Sequence, residues 1–268
     1  MFITFLSDFG LQDEYVGSCH GVIKQIAPDV QVIDITHGIS PQAVLRGALV
    51  LANTLPYMPA GVHLAVVDPG VGSQRRALAI RAREGRLFVG PDNGLLLPAA
   101  EQAGGMDAVH ELANPKLALA SVSRTFHGRD LFAPAAAHLA RGVPIQSLGP
   151  SVDPEALVQL EVPAPSVTPT LIRATVLDID RFGNIQLNLN RGHLLEQGIT
   201  PGTQVELEHL GERYYAIAAR TFADARAGDL ILYEDSYRWI SIAISAGSAA
   251  ELFAVAPGQE LRIHPPLP

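Results

Sequence analysis

The sequence predicts an α/β domain with a largely parallel sheet over residues 1–150, followed by a smaller β domain over residues 170–268. Three observations carry this. Strand and helix patterns alternate along the first 150 residues, the order that covers a parallel sheet with helices. Pro150, Pro154, Pro163, Pro165 and Pro169 then crowd one stretch, which reads as an extended linker over residues 151–169. From Leu171 onward the chain shows strand and turn patterns without a long helical one.

Phe2–Leu6 is an apolar first strand, and Val16, Cys19, Ile23 and Ile26 form a helical stripe that stops at Ala27-Pro28. Val32–Ile35 is a second short strand. Ser40-Pro41 is expected to open the next helix, with serine as N-cap and proline at the first helical position. Val62–Val67 is a near-continuous apolar run, suited to a strand buried on both faces. Leu78–Ile80 and Leu87–Val89 flank Arg83-Glu84-Gly85 as a hairpin. Asp130–Ala140 is helical, and Gly142 stands just past its end. In the β domain, Val205–His209 and Tyr214–Ala218 flank Leu210-Gly211-Glu212 as a second hairpin. Leu230–Tyr233, Trp239–Ile244 and Leu261–Ile263 complete it.

Composition narrows the function. Hydrophobic residues at 48% and charged residues at 17% describe a globular chain with ample core material. Its apolar runs are far too short to cross a bilayer, and no basic region precedes the first one, so neither membrane span nor signal peptide is expected. Cys19 is the only cysteine, which rules out an intrachain disulfide and suits a cytoplasmic setting; its place on the helical stripe makes it a small buried hydrophobe. A net charge of −8 without any basic run argues against nucleic acid as a partner.

In a parallel sheet, functional groups collect where strands end. Asp8, Asp34 and His37, Asp68-Pro69-Gly70, Asp92-Asn93-Gly94 and Thr125–Asp130 all stand at such places. Each has a structural reading as well. Asp8 can cap a helix, Asp68 and Asp92 can be turn residues, Asp34 and His37 can be a local pair holding a loop, and His127 can be a satisfied loop histidine. Asp8, Asp34, His37, Asp68 and His127 are metal ligands by type. Yet the sequence has no His-Glu-x-x-His, no cysteine cluster and no close histidine pair, so no metal or cofactor is expected. With Lys24 and Lys116 the only lysines, phosphate-cradling and Schiff-base chemistry have little to work with.

Taken in order, Thr4–Gly10, Asp34–His37, Val66–Gly72, Gly90–Gly94, Thr125–Asp130 and Asp180–Asn184 resemble the adenosine-forming S-adenosylmethionine hydrolases, the S-adenosylmethionine hydroxide adenosyltransferases. These are relatives of fluorinating and chlorinating enzymes that cleave the same molecule. The resemblance implies a β-barrel-like C-terminal domain and a homotrimer, with ligand held between the N-terminal domain of one subunit and the C-terminal domain of its neighbour. It implies S-adenosylmethionine as substrate and Asp68, Arg75 and His127 as the catalytic set, Arg75 lying seven residues past Asp68. It further implies Asp8 on the ribose hydroxyls, Asp180 and Ser236 on the methionine end, and Phe182 and Asn184, read as two positions on one side of a strand, on the adenine. Tyr237 and a backbone contact at Ala246 complete the set. Many relatives carry Ser-Tyr-Gly where this chain has Ser236-Tyr237-Arg238, and an asparagine where it has Ser245-Ala246-Gly247-Ser248.

The implied reaction is attack of an activated water on C5′, and which of the three catalytic residues takes the proton stays open at this level. Halide-using cleavage is disfavoured, because halogenating relatives carry Tyr-Ser or another halide-lining pair in place of His127-Gly128. A non-catalytic adenosine or S-adenosylmethionine sensor is disfavoured by the complete Asp68, Arg75 and His127 set.

Overall fold

The structure, a computed structural model, describes residues 1–266. The chain divides into two units, Met1–Leu160 and a second that begins at Glu161. In the first unit the elements run β1 (Phe2–Ser7), α1 (Tyr15–Ile26), β2 (Gln31–Thr36), α2 (Val44–Thr54), β3 (Gly61–Val66), β4 (Ala77–Ala82), β5 (Leu87–Pro91), α3 (Leu97–Gln102), β6 (Met106–Glu111) and α4 (Ala133–Ala140). They build one sheet in the order β2-β1-β3-β5-β4-β6. The first four of these strands are mutually parallel, and β4 runs against both of its neighbours.

Side chains alternate across each strand, so each face of the sheet has its own core. Ile3, Phe5, Leu64 and Val66 pack with Cys19 and Ile23 of α1 and with the alanines of α4. Leu6, Ala65, Leu78 and Phe88 pack on the opposite face with α2 and α3. Cys19 is fully buried, and burial pushes its thiol up to about 12, so it serves as core and not as a nucleophile.

The connectivity fixes where a ligand can sit. From β1 the chain crosses through α1 to β2 on one side, then returns through α2 to β3 on the other side of β1. The strand order therefore reverses at β1 and β3. Ligands of open α/β sheets bind beyond the carboxyl ends of the strands at such a switch point. Asp8 follows β1 and Asp68 follows β3.

Two local expectations change. Ser40-Pro41 do not open the helix, because Gln42 takes a left-handed backbone conformation (φ 65°) and α2 starts at Val44. The same twist turns the Gln42 amide onto Asp8 Oδ2 at 2.9 Å. The proline-bearing segment is not extended throughout either. Val152 and Leu157 are buried in the core of the first unit, and the Val158 amide donates to Asp92 Oδ1 at 3.0 Å.

The second unit runs β7 (Ser166–Thr168), β8 (Leu171–Ile179), β9 (Ile185–Leu187), α5 (Arg191–Leu195), β10 (Gln204–His209), β11 (Glu212–Ala218), β12 (Leu230–Glu234), β13 (Ile240–Ile244), α6 (Ala249–Phe253) and β14 (Glu260–His264). Seven of these strands close a ring in the order β14-β10-β11-β12-β13-β9-β8, sealed by pairing of β8 with β14, while β7 adds to β8. Closure removes exposed sheet edges and encloses a core that includes Val176, Leu187, Leu207, Leu232, Ile242 and Leu261. None of the helices among the described residues is long and apolar enough to cross a membrane.

Candidate active site

At the switch point the side chains of Asp68 and His127 meet on the guanidinium of Arg75. Arg75 Nε donates to Asp68 Oδ1 at 2.9 Å, and Arg75 Nη2 donates to Asp68 Oδ2, forming a two-pronged pair. The same Nη2 lies 3.0 Å from His127 Nδ1. A guanidinium has donors only, so Nδ1 must be the acceptor and the neutral imidazole carries its proton on Nε2. The chemistry of the neighbours agrees: burial first, then the positive charge of Arg75, lower the basicity of His127. The Arg75 and Asp68 side chains are only 10% and 6% exposed, so the pair is shielded from water. Phe132 supports the guanidinium from below, with its ring centroid 5.0 Å from Arg75 Cζ.

Local sequence makes this meeting possible. Gly72 has φ 77°, and a Cβ there would lie 2.4 Å from the Arg124 carbonyl oxygen. Only glycine lets the loop after β3 press so closely on the segment that carries His127. Past His127, residues Gly128–Phe132 form a π-helical turn before α4. Such turns recur at functional sites. A Cβ on Gly128 would meet the Phe9 ring at 2.8 Å, so its lack of a side chain leaves room for the aromatic cluster of Phe9, Tyr15 and Phe126. Asp130 is fully buried and accepts from the Ser123 amide at 2.8 Å and from Arg129, which ties the loop down from inside. The neighbouring Arg76 turns away, onto Asp92. Asp92-Asn93-Gly94 is thereby a structural turn, Asn93 Nδ2 donating to the Val67 carbonyl at 2.8 Å.

Asp8 stands beside this set. Burial raises its carboxyl above the usual value; the Gln42 and Asp8 amides act against the rise, and the charge of nearby Asp68 adds to it. The remaining predicted residues belong to the second unit, where they share one hollow. A cleft of about 750 Å³ is lined by Asp180, Phe182, Asn184, Ser236, Tyr237 and Ala246 together. Phe182 and Asn184 are not on a strand, however. They sit in a turn before β9 whose organiser is Asp180, which accepts from the Phe182 amide at 2.8 Å, the Asn184 amide at 3.0 Å and Asn184 Nδ2 at 2.7 Å. Phe182 is consequently presented outward, 69% exposed, as a flat surface. Asn184 keeps its side-chain oxygen as an acceptor.

Sequence reasoning missed several residues of this cleft, among them Asp178, Gln186, Tyr233 and Asp235. Asp235 has the same role for the second turn that Asp180 has for the first. It accepts from the Tyr237 amide at 2.8 Å, the Trp239 amide at 3.1 Å and Gln186 Nε2 at 2.7 Å. An aspartate two residues before an amide is the signal of such a turn and was readable. Burial, followed by the charges of Asp235 and Asp180, pushes the Tyr233 hydroxyl up to about 12, so it remains a neutral donor.

Residues 3–149 match the SAM hydroxide adenosyltransferase N-terminal domain, and residues 174–262 match the SAM hydroxide adenosyltransferase C-terminal domain. A protein of Salinispora arenicola named (R)-S-adenosyl-L-methionine hydrolase is 50% identical over 263 residues, covering 97% of both chains. The chain belongs to the SAM hydroxide adenosyltransferase family. A solved structure of an uncharacterized conserved protein from Thermotoga maritima superposes with a TM-score of 0.90 at 35% identity, over 97% of this chain and 99% of that one. A fluorinase from Actinoplanes sp. is more distant, 29% identical over 283 residues and covering 96% and 95% of the two chains.

Of the two departures from the family pattern, Arg238 falls at a strained backbone position, and Ser245 directly precedes another, Ala246. Arg238 has φ 69° and Ala246 has φ 62°. Left-handed conformation costs a residue with a side chain roughly 1–2 kcal/mol, and glycine much less. The Arg238 side chain is 90% exposed and stands only loosely by Glu234, at 4.0 Å, so it recovers little of that cost. Arg238→Gly is expected to stabilise the protein by about 0.5–1 kcal/mol in urea denaturation.

Proposed function

We propose that this chain hydrolyses the (R) sulfonium epimer of S-adenosyl-L-methionine to adenosine and L-methionine, by direct attack of water on C5′. The observation that carries the reading is the Asp68–Arg75–His127 chain of contacts at the switch point, beside Asp8. The 50% identical relative, named (R)-S-adenosyl-L-methionine hydrolase, supports hydrolysis and that epimer. His127-Gly128 and the lower identity to the fluorinase favour hydrolysis over halogenation.

The chemistry suits these groups. The substrate sulfur is already positive and leaves as a neutral thioether when the C5′–S bond breaks, so no general acid is needed. What is needed is an oriented water from which one proton can depart. Aligning bound reactants supplies roughly 7–11 kcal/mol in favourable cases, and a positioned base contributes about 10²–10⁴-fold. In this proposal Asp68, the anion of the set, orients the water and accepts its proton. Arg75 fixes the carboxylate and offsets the charge of the developing hydroxide. His127, neutral and accepting at Nδ1, keeps the guanidinium in place. Asp8 accepts from the ribose hydroxyls.

The barrel cleft complements these needs. Phe182 offers a stacking surface, Asn184 an acceptor for an exocyclic amine, and the carboxylates of Asp178, Asp180 and Asp235 a negative field for the methionine ammonium. Ser236, Tyr237 and the Ala246 backbone supply further polar contacts. We further propose a homotrimer in which the catalytic set of one subunit and the cleft of a neighbour serve one substrate.

Two measurements test these statements. Purified protein incubated with S-adenosylmethionine in ¹⁸O-labelled water, without added halide, is expected to release methionine and adenosine labelled at the 5′-hydroxyl, consuming the (R) epimer first. Unlabelled adenosine would contradict direct attack. For the shared site, Asp68→Ala and Asn184→Ala chains are each expected to be nearly inactive alone. Mixed oligomers of the two should recover activity, whereas no recovery in mixed oligomers would place both groups on the same subunit's site.

A further inference from the structure

Away from the catalytic set, a second group of side chains converges in the first unit. His20 lies on α1, Asp34 on β2 and His37 just beyond β2. His20 Nε2 is 2.9 Å from Asp34 Oδ1, and His37 Nε2 is 3.1 Å from the same oxygen. One donor atom from each of the three lies within 4.8 Å of the others. Sequence reading paired Asp34 with His37 but gave His20 no part, since it is fourteen residues away and on a different element.

His37 shows why a simple hydrogen-bonded pair is an incomplete description. Its side chain is only 2% exposed, and its Nε2 points at Asp34 off the line a hydrogen bond requires, leaving that buried nitrogen without a hydrogen-bond partner among the described residues. Ser7 Oγ contacts the other ring nitrogen, Nδ1, at 2.7 Å. If the hydroxyl donates there, the imidazole proton sits on Nε2 and faces Asp34 Oδ1 at 3.1 Å, but poorly aligned for a hydrogen bond. If Nδ1 donates instead, Nε2 presents a lone pair to a carboxylate. The second state is unfavourable in a buried site, and the first leaves a strong donor only partly used. A cation among the three side chains resolves the second, because the lone pair and the carboxylate then face positive charge.

We propose that His20, Asp34 and His37 bind a divalent transition-metal ion of the zinc or cobalt type. Two imidazoles and one carboxylate are a ligand set that such ions favour, and a partly exposed site leaves room for a solvent ligand. Ligands about 2.0–2.1 Å from a tetrahedral ion are about 3.3–3.4 Å apart, so the 2.9 and 3.1 Å separations must open slightly, while the three donor atoms, within 4.8 Å of one another, draw to that common spacing. Ser7 is placed to act as the outer partner that orients a metal-bound histidine. His20 and Asp34 are 32% and 41% exposed, which provides an entry path.

The ion holds together the segments that carry Asp8. Ser7 directly precedes it, and the His37 carbonyl accepts from the Gly10 amide at 2.8 Å, so the loop after β1 rests on His37. The role is structural, and hydrolysis does not pass through the ion.

The test is titration of the chelator-stripped full chain with Co²⁺, read by visible absorption and by the shift in Tm. One Co²⁺ per chain is expected, with ligand-field bands and a higher Tm. Losing an outer partner of a metal ligand costs about 10–100-fold in affinity, so Ser7→Ala should weaken binding by that factor. His20→Ala and Asp34→Asn, each losing a ligand, should weaken it at least as much, with metal-free Tm values near that of the unaltered chain. Failure of the unaltered chain to bind Co²⁺ one to one, or equal binding by His20→Ala and Asp34→Asn, would overturn the proposal.

Discussion

Arg75 is the point on which the proposed chemistry depends. A guanidinium taken largely out of water is costly unless every donor direction is used well, and removing one partner of such a pair typically costs about 3–5 kcal/mol. Here two donors go to the Asp68 carboxylate, one is shared with the His127 ring, and an aromatic face lies beneath. A buried ion pair is a weak device for stability alone, since well-packed apolar residues often do as well. What it supplies is direction. It holds an anionic oxygen pair and a neutral imidazole in one fixed arrangement, next to a second buried carboxylate at Asp8. Burial raises the carboxyl of Asp8.

Much of the fold was legible because its signals are local and repetitive. The stripe of Val16, Cys19 and Ile23 and the unbroken run Val62–Val67 directly state a covering helix and a doubly buried strand, and both are found so. Other features are decided by tertiary contacts and leave little local trace. Ser40-Pro41 has good helix-opening chemistry, yet Gln42 adopts a left-handed conformation and its amide goes to Asp8, thirty-four residues earlier. Residues 151–160 look like linker by proline content, but Val152 and Leu157 find apolar surface on the first unit. The π-helical turn after His127 likewise has no pattern of its own in the sequence.

For the candidate site the division is similar. Asp8 and Asp68 were readable as residues at strand ends, and a parallel sheet brings such ends to one edge. That Arg75 reaches both Asp68 and His127 was implied only by resemblance, because it needs Gly72 against the Arg124 carbonyl, a contact no spacing rule encodes. In the barrel, the six predicted residues do line one cleft, but through turns instead of a strand face. Asp180 and Asp235 shape that cleft by binding their own downstream amides. His20 was invisible for a related reason: only the packing of α1 on the sheet brings it to Asp34.

The hydrogen-bond direction between Arg75 and His127 follows from donor chemistry alone, and it separates a positioning imidazole from one that removes the proton itself. ¹⁵N nuclear magnetic resonance of the His127 ring near neutral pH measures it. The account predicts a proton on Nε2 and a hydrogen-bonded, unprotonated Nδ1, with the ring becoming charged only below the ordinary imidazole value of 6.5. A proton on Nδ1, or a ring that stays charged above that value, would contradict it.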